Sequence, residues 1–117
     1  MKPAPKVSNK RQHVRVRVQF RSHFSIKGQG KGKMVGGDGD LKDLSPGGCR
    51  VRSLVAVQSG TELELCIFQG DDSNPIMIDL AVVRWTQPSE FGLSFVTIRA
   101  PFLRRLTEVW RKLASPF

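Results

Sequence analysis

Two arginines four residues apart, Arg11 and Arg15, are the pair in this sequence best suited to gripping an anion. In an extended segment, residues i and i+4 fall on the same side of the chain, so both guanidiniums project together. Each planar fork matches two phosphate oxygens at once, and it also fits the O6 and N7 edge of guanine or stacks on a base. Lys10 adds a third cation beside them. Arg17 and Arg21 repeat the spacing, and a chain with 19 Lys+Arg produces such pairs by chance. A solvated basic strand face is therefore the plain alternative.

A second cluster lies downstream. Asp43, Leu44, Ser45, Pro46, Gly47 and Gly48 read as a turn that carries an acceptor carboxylate and a hydroxyl, with glycines that permit close backbone approach. A carboxylate in a phosphate-gripping surface needs a reason, and guanine supplies one, because its N1 and exocyclic N2 are donors. An Asx-turn that only closes a hairpin is the competing reading.

Other chemistries leave weaker traces. The stretch Gly92, Leu93, Ser94, Phe95, Val96 lacks the second glycine of a nucleophile elbow, and neither His13 nor His23 has an acidic orienter nearby in sequence. Glu62 and Glu64 share a strand face, where solvation explains them better than acid/base catalysis. Cys49 and Cys66 have neither a CxxC partner nor metal-ligand spacing to the histidines, so they read as reduced thiols, with no metal and no cofactor expected. The residues point to a binder and not to an enzyme.

The elements that must position these groups are read from periodicity. The chain has 117 residues, 39% of them hydrophobic, enough for one modest core. Its net charge of +9 favours anionic partners, and every charged side chain from Met1 to Lys33 is basic, all ten carboxylates coming later. Residues 1–9, with two prolines and two lysines, are expected to be a flexible basic arm, and 10–117 a single domain. No apolar run suits a membrane span or signal peptide, so a cytoplasmic location without membrane insertion is expected.

From Val14, the residues Val14, Val16, Val18, Phe20, Phe24 and Ile26 alternate with Arg15, Arg17, Gln19, Arg21, His23 and Ser25, the pattern of a strand with one apolar and one basic face. A glycine–lysine loop over 27–33 matches no phosphate-loop template. Further strands are expected over 34–42, weakened by Gly36, Gly37 and Gly39 through a bulge or close approach, and over 49–54, 62–68, 76–85 and 91–96. Six short strands argue for an all-β fold, an antiparallel barrel. At the end, Pro101 opens an amphipathic helix on which Phe102, Leu106, Val109, Trp110 and Leu113 share a face, capping the barrel or meeting a partner.

Taken together, the two clusters resemble the PilZ family of cyclic di-GMP receptors, whose paired signature is RxxxR followed by [D/N]xSxxG. Both stand here in full, as Arg11 with Arg15 and as Asp43, Ser45 and Gly48, with Lys10 where the family often has another arginine. Val83, Arg84, Trp85 and the run Phe91 to Phe95 look like the family's two late strands. The resemblance covers about residues 10–113, and it implies a six-stranded PilZ-like barrel with a C-terminal helix.

It further implies that Arg11 and Arg15 hold phosphate and guanine while Asp43, Ser45, Gly47 and Gly48 wrap a guanine edge. Trp85 and Gly92 are candidates at the pocket rim, Trp85 fitting a core position equally well. The implied ligand is cyclic di-GMP, which would draw the arm over itself, and the implied onward partner is a protein. Two other readings stay open: a basic barrel binding single-stranded nucleic acid, disfavoured because Phe20 and Phe24 lie on the apolar face, and a PilZ-like adaptor that no longer binds nucleotide.

Overall fold

The computed structural model describes residues 14–27, 35–70 and 74–115. The expected arm, Lys10, Arg11 and most of the glycine–lysine loop lie outside the described residues. Six strands, β1 (Val16–Ile26), β2 (Val35–Ser45), β3 (Gly48–Arg52), β4 (Glu62–Phe68), β5 (Ile76–Gln87) and β6 (Glu90–Thr97), precede one helix, α1 (Ala100–Ala114). The strands close into an antiparallel barrel in the order β1, β2, β3, β6, β5, β4. Closure leaves no free sheet edge, which a short all-β chain must otherwise protect.

Period-2 alternation builds the wall. In β4, Leu63, Leu65 and Ile67 point into the barrel and are fully buried, while Glu62 and Glu64 face out. Each such burial contributes about 1.5–3 kcal/mol. Across the barrel, Phe24 of β1 meets Phe91 of β6 edge to face, with ring centroids 5.3 Å apart. Ser22 also faces inward, and its hydroxyl donates to the Gly39 carbonyl at 2.9 Å, so no polar group is left unpaired there.

The boundaries differ from the sequence expectation in instructive places. β1 starts at Val16, and Val14 stands 63% exposed ahead of it. β2 continues to Ser45 instead of stopping at Lys42, and β3 occupies Gly48–Arg52. The turn is thus only Pro46 and Gly47, and Asp43 and Ser45 are strand residues, a correction to their placement on a turn. The reason is that buried Leu44 completes the inner wall, so the ladder runs on through Asp43 opposite Arg50, Leu44 opposite Cys49 and Ser45 opposite Gly48. The glycines of β2 do mark a close approach, since a Cβ on Gly36 would lie 2.1 Å from the Phe24 carbonyl oxygen.

α1 begins with proline in its first turn and ends with Arg111 and Lys112, cations that suit the negative end of the helix dipole. Its hold on the barrel is narrow. Leu106 is fully buried, Phe102 and Val109 pack on the core, and Leu113, expected on the same face, is 47% exposed. Polar ties add to this: Arg99 makes two contacts with Asp79, at 2.9 and 3.1 Å, and Arg105 donates to the carbonyls of Asn74 and Pro75. Among the described residues, no helix is long and apolar enough to cross a membrane.

Candidate functional site

The two-residue turn decides which side chains meet. Because Ser45 pairs with Gly48, Asp43 must pair with Arg50, and both side chains stand on the outer wall. The same row extends sideways across three more pairings of the barrel: Arg17 lies opposite Asp43, Arg50 opposite Gly92, and Gly92 opposite Trp85. Three of the expected site residues, Asp43, Gly92 and Trp85, therefore share one line across the outside of the barrel.

Charge is organised along that line. Arg15 donates from Nη1 to Asp43 Oδ1 at 2.7 Å, and Arg50 donates from Nε to Asp43 Oδ2 at 3.0 Å. Arg50 also reaches Glu90 Oε2 through Nη1, again at 3.0 Å. The Asp43 side chain is only 15% exposed, whereas Arg15 is 48% exposed. The carboxylate thus sits low between two guanidiniums and orients both, leaving the remaining N–H groups of Arg15 toward solvent. The hydrogen bond to Asp43, joined by that to Glu90, holds the Arg50 pKa above its ordinary value. What this arrangement can do chemically is present fixed planar forks to an anion lying on the wall.

Trp85 is placed by a bulge. The register of β5 against β6 shifts between Val83 and Trp85, so the extra residue turns Trp85 from the inward side, which it would share with buried Val83, to the outer wall. Its indole lies over Gly92, where a Cβ would come within 2.2 Å of Trp85 Nε1. The ring is 38% exposed, so the core alternative for Trp85 is overturned.

Ser45, Gly47 and Gly48 have different duties from Asp43. Ser45 is buried, its hydroxyl accepting from the Gly47 N–H at 3.2 Å and lying 3.4 Å from the Gly48 carbonyl. A Cβ on Gly48 would sit 2.2 Å from the Leu93 carbonyl oxygen, so this glycine exists for the approach of β6 to β3. The Gly47 carbonyl accepts from the Phe95 N–H at 2.9 Å, tying the turn to β6. Both Ser45 and Gly48 thus build the hairpin. Lys10 and Arg11 fall outside the described residues.

Two residues escaped the sequence reading. Arg50 and Glu90 complete the ion chain, and the signal for Arg50 was hairpin arithmetic: a two-residue turn after Ser45 makes 43 and 50 partners. Next to the row runs a polar groove of about 530 Å³, bordered by Arg21, Asp40, Arg52, Phe68 and Ser89. Arg21 lies over the Phe68 ring, 5.4 Å from its centroid. A larger cavity of about 880 Å³ lies away from this face, between α1 and Phe20.

Fold and site define a small closed barrel that offers paired guanidiniums and an exposed indole on its outer wall. The PilZ domain family model matches residues 9–109, and the chain belongs to that family. Among solved structures, the inhibitor of motility MotI/DgrA of Bacillus subtilis is similar with a TM-score of 0.64 at 22% identity, covering 100% of this chain and 56% of that one. The chain thus spans about half the length of MotI. The PilZ domain of CeSA from a cellulose-synthesizing bacterium is similar with a TM-score of 0.63 at 12% identity, covering 87% of this chain and 99% of that one. At such identities the likeness concerns the fold. A search of curated protein sequences found no match.

Proposed function

We propose that this domain is a cyclic di-GMP receptor that passes ligand occupancy to a protein partner. The observation that carries the reading is the Arg15, Asp43, Arg50 chain on the outer wall, in a member of a family whose usual ligand is this dinucleotide. Arg15, together with Arg11 four residues earlier, grips the phosphates and a guanine edge. Charge-assisted bidentate bonds make such a grip strong where a lysine would give only a point charge.

Asp43 has two tasks in this proposal. It aims Arg15 in the free domain, and its remaining lone pairs accept from guanine N1 and N2 when the base arrives. Trp85, lying over Gly92, provides a flat apolar surface at the rim for a base to stack on. Ser45 and Gly48 act indirectly, by fixing the hairpin that holds Asp43 at its height on the wall.

Titration calorimetry tests the assignment. Cyclic di-GMP should bind at micromolar or tighter concentration, and Arg15→Ala should weaken it about 30-fold, equivalent to about 2 kcal/mol. Absence of binding would refute the receptor reading. Binding that survives Arg15→Ala unchanged would refute the site.

A further inference from the structure

The chain enters β1 through a tie that the ion chain does not include. Trp110, on α1, donates its indole Nε1–H to the carbonyl oxygen of Val14 at 2.6 Å, linking positions 96 residues apart in sequence. That carbonyl belongs to the peptide group joining Val14 to Arg15. A peptide group is planar, so fixing its oxygen also fixes the direction of the Arg15 N–H and Cα. Downstream, the Arg15 guanidinium is fixed on Asp43 at 2.7 Å. Arg15 is consequently held at both ends, by the helix through its backbone and by the barrel wall through its side chain.

The helix is a suitable post for this purpose. Leu106 is sunk fully in the core, Phe102 and Val109 pack beside it, and Arg99 is tied to Asp79. Val14, by contrast, is 63% exposed and precedes the first strand residue, so its own side chain anchors little. An amphipathic helix that merely capped the barrel would bury its tryptophan without needing a backbone acceptor outside the sheet.

We infer that Trp110 is a positioning residue for the anion site: its hydrogen bond to Val14 sets where Arg15 stands, and it couples α1 to occupancy of that site. The inference rests on the receptor reading above for the identity of the ligand. Coupling between binding events is reciprocal, so a ligand that moves Arg15 acts on the Trp110 contact, and a partner that shifts α1 alters ligand affinity.

The test compares the full chain with Trp110→Phe, which keeps an aromatic ring and removes the donor, and with Leu113→Ala on the same helix as a control. Trp110→Phe is expected to weaken cyclic di-GMP about 5- to 20-fold and to accelerate hydrogen exchange at the Arg15 and Val16 amides. Leu113→Ala should change neither. Equal affinity in Trp110→Phe and the parent chain, or unaltered exchange at those amides, would overturn the inference. Because Trp110→Phe risks loosening the helix, the parent chain supplies a second readout: the Trp110 indole N–H resonance, distinguished from that of Trp85 by a Trp85→Phe variant, should shift on titration and saturate with the ligand. A resonance that stays put while ligand saturates Arg15 also overturns it. If the parent chain binds no cyclic di-GMP, the receptor reading fails, and exchange at Arg15 and Val16 alone decides the Trp110 tie.

Discussion

The β2–β3 hairpin has an exposed ion row and a buried turn end with opposite work. On the outer face Asp43 and Arg50 pair with each other and with Arg15 and Glu90, in a chain of ions open to solvent at its Arg15 end. Nearer the turn Leu44 and Cys49 point into the barrel and Ser45 and Gly48 lie buried against the chain, so that the contacts of all four are with the chain itself. A single short motif therefore divides between an exposed ion row, which the proposed receptor function would use, and the fold. Substitutions at the ion row and at the buried turn end should fail in different ways, the former losing affinity at nearly constant stability and the latter losing the barrel first.

The strongest break should come from the buried turn end. Gly48→Ala puts a methyl group 2.2 Å from the Leu93 carbonyl oxygen, so β3 and β6 must separate or shift. A loss of about 2–3 kcal/mol is expected from such overpacking, read as a lower denaturant midpoint at unchanged m-value. Gly47→Ala is the matched control, since nothing lies within 4 Å of the Cβ position and no positive φ is required. It should be neutral, or stabilising by about 0.5 kcal/mol through reduced freedom of the unfolded chain. If both variants were equally tolerated, the close approach of β3 to β6 at Gly48 would not carry the hairpin.

On the outer face, Asp43→Asn sharpens the division. The amide keeps the shape but loses the charge that aligns Arg15 and Arg50, so cyclic di-GMP affinity should fall about tenfold, or about 1.4 kcal/mol, in the same calorimetric assay. Stability should drop by less, about 1 kcal/mol or under, because Arg15, 48% exposed, and Arg50, 32% exposed, keep water contacts that screen their ion pairs. A variant that unfolded as readily as Gly48→Ala would show that Asp43 is structural and would erase the division.

Much of this architecture was legible in the residues. The alternation of β4 marked its bounds, and the proline-led apolar stripe marked α1. Three features were not readable from periodicity. A run with proline and two glycines looks like a long turn, yet burial of Leu44 extends pairing through its first three residues, and this hid the Asp43 to Arg50 partnership. A bulge shifts facing by one residue without changing composition, so Trp85 seemed equally fit for the core. The tie from Trp110 to Val14 joins the two ends of the described chain, and no local pattern reports a contact of that separation.

The two cysteines give the smallest expected effect and a direct measure of how sealed the inner face is. Burial pushes the Cys49 thiol pKa far up, the nearby Asp43 charge adds to this, and Arg15 opposes it. Cys66, on β4, is also raised by burial and by Glu64, but it is only partly buried. Native protein at pH 8 should therefore lose one thiol to iodoacetamide, that of Cys66, while Cys49 reacts only on unfolding. The sign for stability follows from the raised folded pKa. The unfolded thiol releases its proton near pH 8.5 and the folded one does not, so stability is complete below that pH and declines above it, by about 1 kcal/mol one unit higher. Cys49→Ala should flatten that decline in denaturant midpoint between pH 8 and 9.5. Rapid alkylation of Cys49 in the folded state would mean that the hairpin opens toward solvent, and Asp43 could then not be held at a fixed height above a closed wall.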